Sequence, residues 1–209
     1  MIDTEKLKRT QQKIAESVVI NDVFDFDDAK IIGGFSTLFV NRDGICSAVT
    51  MDFKTLDVIE RVYIHDKEPM PYISGFRAFR EGPLIVKAFE KLDAKPDVLL
   101  IDGHGIAHPA RNGLATYVGI ALDRATIGVA KKLLCGSVED SSIMLNGERV
   151  GMCITTKKGS NPLFISPGHK ISVDSAVKVV QRFLSGKHKL PEPLLLARRY
   201  VKKVSKIIV

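Results

Sequence analysis

Residues 98–101, Val98-Leu99-Leu100-Ile101, form an unbroken apolar run that stops abruptly at Asp102-Gly103-His104-Gly105. A strand that is apolar at every position must be buried on both faces, which is the habit of a central strand in a layered α/β fold. The glycines around His104 let a backbone come close to a ligand. Asp102 is therefore either a ligand-facing carboxylate, suited to Mg²⁺ shared with phosphate oxygens, or the cap of a turn. A second buried run, residues 126–130, ends in Lys131-Lys132. If the two strands are parallel neighbours, these lysines share an edge with Asp102, where they either hold a phosphate or simply meet solvent.

The flanking patterns complete a layered fold. A helix capped by Thr4 is expected over residues 4–18, with Leu7, Ile14 and Val18 on one face. Period-two, β-branched runs at residues 31–40, 45–53 and 58–64 predict an antiparallel meander. Its first turn, Asn41-Arg42-Asp43-Gly44, places glycine where a positive φ is needed. Pro83 is the expected first residue of a helix with Leu84, Ile85, Ala88, Phe89 and Leu92 as its apolar stripe, which leaves Glu81 at the N-terminal edge. A helix at residues 114–122, a hairpin at Asn146-Gly147 and a strand at residues 163–165 follow. Ser172 and Asp174 start a helix closed by Gly186. The last helix, residues 194–208, has a basic face of Arg198, Arg199, Lys202, Lys203 and Lys206, either a solvated surface or a nucleic-acid contact. No repeat or linker interrupts the chain, so residues 1–209 are expected to form a single domain. The element order predicts an α/β, ribonuclease-H-like mixed sheet, three antiparallel strands followed by parallel strands, flanked by helices.

Composition narrows the classes. The 209 residues are 45% hydrophobic and 26% charged, which suits a globular core and not a disordered chain. No apolar run approaches the roughly 18 residues of a membrane span, and the start lacks a signal-peptide pattern, so a soluble, cytoplasmic protein is expected. Thirty-one Lys and Arg against 24 Asp and Glu give a net charge of +7, which favours polyanionic partners. Cys46, Cys135 and Cys153 form no Cys-x-x-Cys pair and are expected to be reduced packing residues.

Other candidates stay open on the residues alone. Glu81 is either a metal-site carboxylate or a surface group. Tyr72, stiffened by Pro71, is either a wedge that stacks on bases or an ordinary loop tyrosine. His104 and His108 lie among glycine and proline, so they make no helical zinc pair, and either touch phosphate or bond within the loop.

Four blocks carry a resemblance: Pro71-Tyr72-Ile73-Ser74-Gly75 with Phe79-Arg80-Glu81-Gly82-Pro83; Asp102 to Pro109 (Asp-Gly-His-Gly-Ile-Ala-His-Pro); residues 126–136; and Ser166-Pro167-Gly168-His169. Together they resemble the endonuclease V family, nucleases of ribonuclease-H-like fold that recognise deaminated purines, chiefly deoxyinosine in DNA and, in some members, inosine in RNA. The family hydrolyses the second phosphodiester 3′ to the lesion. The resemblance implies a DNA-repair enzyme, acting as a monomer, with Mg²⁺ as cofactor and Mn²⁺ able to substitute. Carried over by position, Asp102 binds the metal, Glu81 binds metal or orients water, Tyr72 is the wedge, and Lys131 and His108 contact phosphate. Gly75, Gly103 and Gly113 line the pocket of the flipped base. The implied reaction is in-line attack of a metal-activated water on phosphorus, with Lys131 stabilising developing charge.

The pattern also breaks. Phe35, in Gly33-Gly34-Phe35, stands where the family's first strand carries a metal-binding Asp, and Arg198 stands where its last helix carries a His. Ser74 replaces the second proline of the wedge loop. A unit charge about 4 Å from a carboxylate, at an effective dielectric near 20, is worth about 4 kcal/mol, or three powers of ten in affinity. Loss of the carboxylate at position 35 therefore severely weakens one metal position. Asp27 or Asp28 could compensate only if the strand brought them near, and they precede it. Two expectations follow: an active deoxyinosine endonuclease, or a catalytically impaired nucleic-acid-binding homologue.

Overall fold

The computed structural model describes residues 2–157 and 159–208. Nine strands form one sheet in the order β3-β2-β1-β4-β5-β9-β8-β7-β6. The meander β1 (Ile31–Val40), β2 (Asp43–Asp52) and β3 (Val58–Lys67) is antiparallel, while β1, β4 (Val98–Ile101) and β5 (Ala125–Ala130) run parallel. This is the expected mixed core. It continues into an antiparallel wing of β9 (Leu163–His169), β8 (Glu148–Ile154), β7 (Ser142–Leu145) and β6 (Ser137–Glu139). Among the described residues no helix is long and apolar enough to cross a membrane.

Period-two alternation sorts the core into two layers. Phe35, Leu99 and Ile101 pack with Leu84, Ile85 and Leu114 beneath α2 (Arg77–Lys91) and α3 (Leu114–Leu122). On the other face Ile32, Val98 and Leu100 pack with Val180, Leu194 and Ala197 of α4 (Val173–Arg182) and α5 (Glu192–Ile208). Asp102, the next residue after Ile101, continues the second series, toward α5. The three cysteines are free thiols; burial pushes each up, Cys46 furthest.

Three local expectations need correction. Gly44 does not supply the positive φ of the first hairpin: Asn41 and Arg42 do, at 49° and 71°. Gly44 is small for packing, since a Cβ there would lie 2.5 Å from Leu84 Cδ1. The helix α1 (Thr4–Glu16) is capped by Asp3, whose carboxylate accepts from the Lys6 N–H at 3.0 Å, and not by Thr4. Finally, α2 begins at Arg77, with Pro83 inside it. Pro83 forfeits one helical hydrogen bond near the start of the helix, a loss offset by the apolar stripe that follows. Glu81 consequently points from the second turn of a helix and not from its edge.

The approach of α5 to β1 sets the geometry below. A Cβ on Gly34 would fall 2.2 Å from the Pro193 carbonyl, so only glycine lets the helix lie this close. Gly34→Ala is expected to destabilise the protein by about 1–3 kcal/mol, because backbone and not a flexible side chain must move. Urea unfolding of the two proteins checks this, and an unchanged midpoint contradicts it.

Candidate active site

The sheet edge where β4 and β5 end collects the charged candidates. Arg77 is the hub. Its Nε donates to Glu81 Oε1 at 2.5 Å, and its Nη2 donates both to Glu81 Oε2 at 3.0 Å and to the Asp102 carbonyl at 2.9 Å. Thr37 Oγ1 donates to the second Glu81 oxygen. Glu81 is only 6% exposed, so these contacts are what allow a carboxylate there at all. Desolvation works to lower the pKa of Arg77, but the charge and hydrogen bonds of Glu81 outweigh it and the guanidinium is held protonated. On the opposite face Arg198 Nη1 lies 3.9 Å from Asp102 Oδ2, near enough for a charge pair and too far for a hydrogen bond. That nitrogen is buried and has no other partner.

The first-strand position adds nothing to bind a cation. Phe35 is fully buried among Leu99, Ile101, Ala78 and Leu84. Asp27 and Asp28 lie in a 3₁₀ turn before β1, and Asp27 borders a separate cavity with Phe53 and Arg182. Among the described residues no three His, Cys, Asp or Glu side chains converge on a point that could hold a metal ion. A divalent cation about 5 Å from either guanidinium, at an effective dielectric near 20, would meet roughly 6 kcal/mol of repulsion. The side chains present do not fit the metal that the resemblance implies.

Beside this centre is a cavity of about 270 Å³ bordered by Tyr72, Gly75, His104, His108, Asn112 and Gly113. Tyr72 is 63% exposed, unusual for an aromatic ring in a loop, and the Arg80 guanidinium stands 5.9 Å from its centroid. Gly75 has a φ of +82°, and its carbonyl accepts from Gln11 Nε2 at 2.8 Å, so α1 braces this loop. A Cβ on Gly113 would collide with the carbonyl oxygens of His104 and Gly105, at 2.3 and 2.5 Å. Gly103 touches Leu114 and Arg77 from outside the cavity lining.

Lys131 follows the end of β5 and borders a groove of about 510 Å³ shared with Lys189, Arg198, Arg199, Lys202 and His188. No carboxylate is among its lining residues, so the groove carries a positive field. The Ser166-Pro167-Gly168-His169 block has a supporting role: Ser166 Oγ accepts from the Gly105 N–H at 2.8 Å and the Pro167 carbonyl from the Ile106 N–H at 2.8 Å, pinning the loop that follows Asp102. Sequence reasoning missed Arg77, Thr37, Gln11 and Asn112. Arg77 and Glu81 stand four apart on a helix, a spacing that signals the pair once the helix start is placed correctly.

A model of the endonuclease V family matches residues 12–199. An endonuclease V from Dictyoglomus thermophilum is 39% identical over 207 residues, covering 95% of this chain and 90% of that protein. The crystal structure of an endonuclease V from Bacillus subtilis superposes with a TM-score of 0.90 at 28% identity, covering 99% of this chain and 94% of the other. The Ciona intestinalis endonuclease V, solved with a 24mer DNA containing an inosine, shares the fold at 24% identity and a TM-score of 0.89, covering 99% of each chain.

The histidines of this region are held neutral. Burial lowers His104 and lowers His108 to about 4, with the charge of His104 adding to the second. Burial and Lys170 lower His169 against the pull of Asp123. His108 Nδ1 accepts from the Ala110 N–H, and His169 Nδ1 from the Val19 N–H, each at 3.2 Å, bonds that protonation of those nitrogens would break. Between the folded and unfolded values the unfolded chain binds more protons, so this stability is complete above the ordinary value of 6.5 and is lost as pH falls toward the folded values. Urea unfolding free energy is expected to decline from about pH 7 to about pH 4.5, above the range where carboxylates dominate. His108→Gln should flatten part of that slope; a flat wild-type profile is the contrary result.

Proposed function

This chain belongs to the endonuclease V family, and on that premise we propose that it recognises deaminated purines, chiefly deoxyinosine in DNA, and holds the lesion without the metal-dependent scission typical of the family. The observation that carries this reading is the pairing of both retained carboxylates with arginine, Glu81 with Arg77 and Asp102 with Arg198, beside an intact cavity and an exposed Tyr72. The family is one of nucleases, and hydrolysis of the second phosphodiester 3′ to the lesion is the reaction the resemblance implies. With Phe35 in the core and two guanidiniums in the centre, Glu81 is hydrogen-bonded to Arg77 and Asp102 faces the charge of Arg198, which disfavours Mg²⁺ or Mn²⁺ there.

In this reading Tyr72 enters the stack and takes the place of the extruded base, whose aromatic face it can replace by stacking. The base enters the cavity bounded by Gly75, His108 and Gly113, with Gly103 behind it. Lys131 meets a backbone phosphate in the field of Arg198, whose buried Nη1 stays beside Asp102, and the basic groove continues the contact along the strand. Arg198 thus supplies in protein form a positive charge that a metal supplies elsewhere, without activating a water. The protein acts as a single-domain cytoplasmic monomer.

The test separates binding from cleavage, using labelled oligonucleotides that carry deoxyinosine, inosine or neither. Anisotropy is expected to show a preference of roughly tenfold or more for the deoxyinosine strand, unchanged when Mg²⁺ is replaced by EDTA. Single-turnover cleavage should run about a thousandfold or more below that of a member carrying the Asp and His at these two positions. Mg²⁺-dependent scission at the family's rate, lost in Asp102→Ala, overturns the absence of turnover; lesion-blind binding overturns recognition; preference for the ribonucleotide lesion moves the substrate to RNA.

A further inference from the structure

Asn112 is 0% exposed, and neither its Oδ1 nor its Nδ2 has a hydrogen-bond partner. Buried carboxamides are almost always satisfied, because leaving both ends unpaired forfeits the hydrogen bonds that water gave the unfolded chain. The same residue borders the 270 Å³ cavity with Tyr72, Gly75, His104 and His108. Thr50 and Thr116 also have buried hydroxyls without partners, but neither borders this cavity. The backbone around Asn112 is fixed: the Arg111 N–H donates to the His108 carbonyl at 2.8 Å and the Gly113 N–H to the Gly105 carbonyl at 3.1 Å. A carboxamide with no internal partner is thus mounted on a rigid turn at the wall of a cavity of nucleobase dimensions.

We propose that Asn112 is a specificity-determining residue that reads the edge of the flipped base, its Oδ1 accepting from and its Nδ2 donating to neighbouring base atoms. This rests on the reading that the cavity takes a base. The complement of a carboxamide is an edge that presents a donor next to an acceptor. The lactam edge of hypoxanthine has that form, N1–H beside O6. A purine with no 6-substituent has only the N1 acceptor and satisfies half of the amide. The amino-bearing edge of adenine also pairs with a carboxamide turned over about χ2. Asn112 therefore rewards a two-point edge of either polarity, and discrimination against adenine comes from the rest of the cavity and from the cost of extruding a well-paired base.

The experiment compares wild type with Asn112→Leu, close in size and unable to hydrogen-bond, on oligonucleotides carrying deoxyinosine, unsubstituted purine deoxynucleoside or an abasic site. Asn112→Leu is expected to weaken deoxyinosine binding roughly tenfold to a hundredfold and the other two by less than about threefold. Equal losses on all three overturn the proposal and leave Asn112 a structural residue, or one satisfied by a buried water. A wild type that does not prefer deoxyinosine over the other strands removes the base-pocket reading as well. Should the variant fail to fold, the side-chain amide resonances of Asn112 in ¹⁵N-labelled wild type decide: a larger shift on adding the deoxyinosine strand than the unsubstituted purine strand, and none with the abasic strand, supports the contact, and identical responses to all three reject it.

Discussion

The Arg77 guanidinium fixes the centre of this molecule. It binds both oxygens of Glu81 and the carbonyl of Asp102, so one planar cation ties α2 to the end of β4. Glu81 is buried, and a buried carboxylate without hydrogen-bond partners would cost the fold several kcal/mol. Arg77 offsets that cost with charge-assisted bonds that Thr37 completes from β1. The position of α2, and with it the Tyr72 loop that leads into its first turn, follows from this contact.

The two departures at positions 35 and 198 act in the same direction. Phe35, buried with Leu99, Ile101 and Leu84, adds ring carbon to the layer under α2 and offers no atom to a cation. Arg198 adds positive charge on the far side of the sheet, near the one carboxylate that faces α5. The centre sets Arg77 and Arg198 against Glu81 and Asp102, so its charges balance and little net negative charge remains for a divalent cation. In the function proposed above, the same guanidinium charge favours a phosphate. The neighbouring groove of Lys131, Lys189, Arg199 and Lys202 points the same way.

The central strands were legible in the sequence because β4 is apolar at every position and β5 at all but Thr126, and few structures other than a covered parallel sheet accommodate that. Their parallel pairing followed, and with it the placing of Asp102 and Lys131 after the ends of neighbouring strands. The start of α2 was misread because Pro83 is a strong first-turn signal, while here a long apolar stripe tolerates it inside the helix. That error hid the Arg77–Glu81 pair, whose spacing has meaning only on a helix that already includes residue 77. The β6 to β9 wing was only partly visible. Asn146-Gly147 marks one turn plainly, but the turn at Asp140 and Ser141 uses two non-glycine residues at positive φ, for which no single residue type is diagnostic. Asn112 gave no signal, since an asparagine before a glycine reads as turn chemistry, and only coordinates reveal that its amide is buried and unpaired.

The cavity and the charged centre are carried by different elements, which is what lets the proposed recognition stand apart from catalysis. The cavity wall is built by the segment from His104 to Gly113, held by backbone bonds to itself, by Ser166 and Pro167 of β9, and by the Ala115 N–H donating to the His104 carbonyl. None of those contacts involves Phe35 or Arg198. The loop carrying Tyr72 is braced by Gln11 of α1 and continued by α2, again without either position. The charged centre instead depends on β1 and α5 converging on the end of β4. Phe35 on β1 and Arg198 on α5 therefore bear on that centre and leave the bonds that shape the cavity untouched.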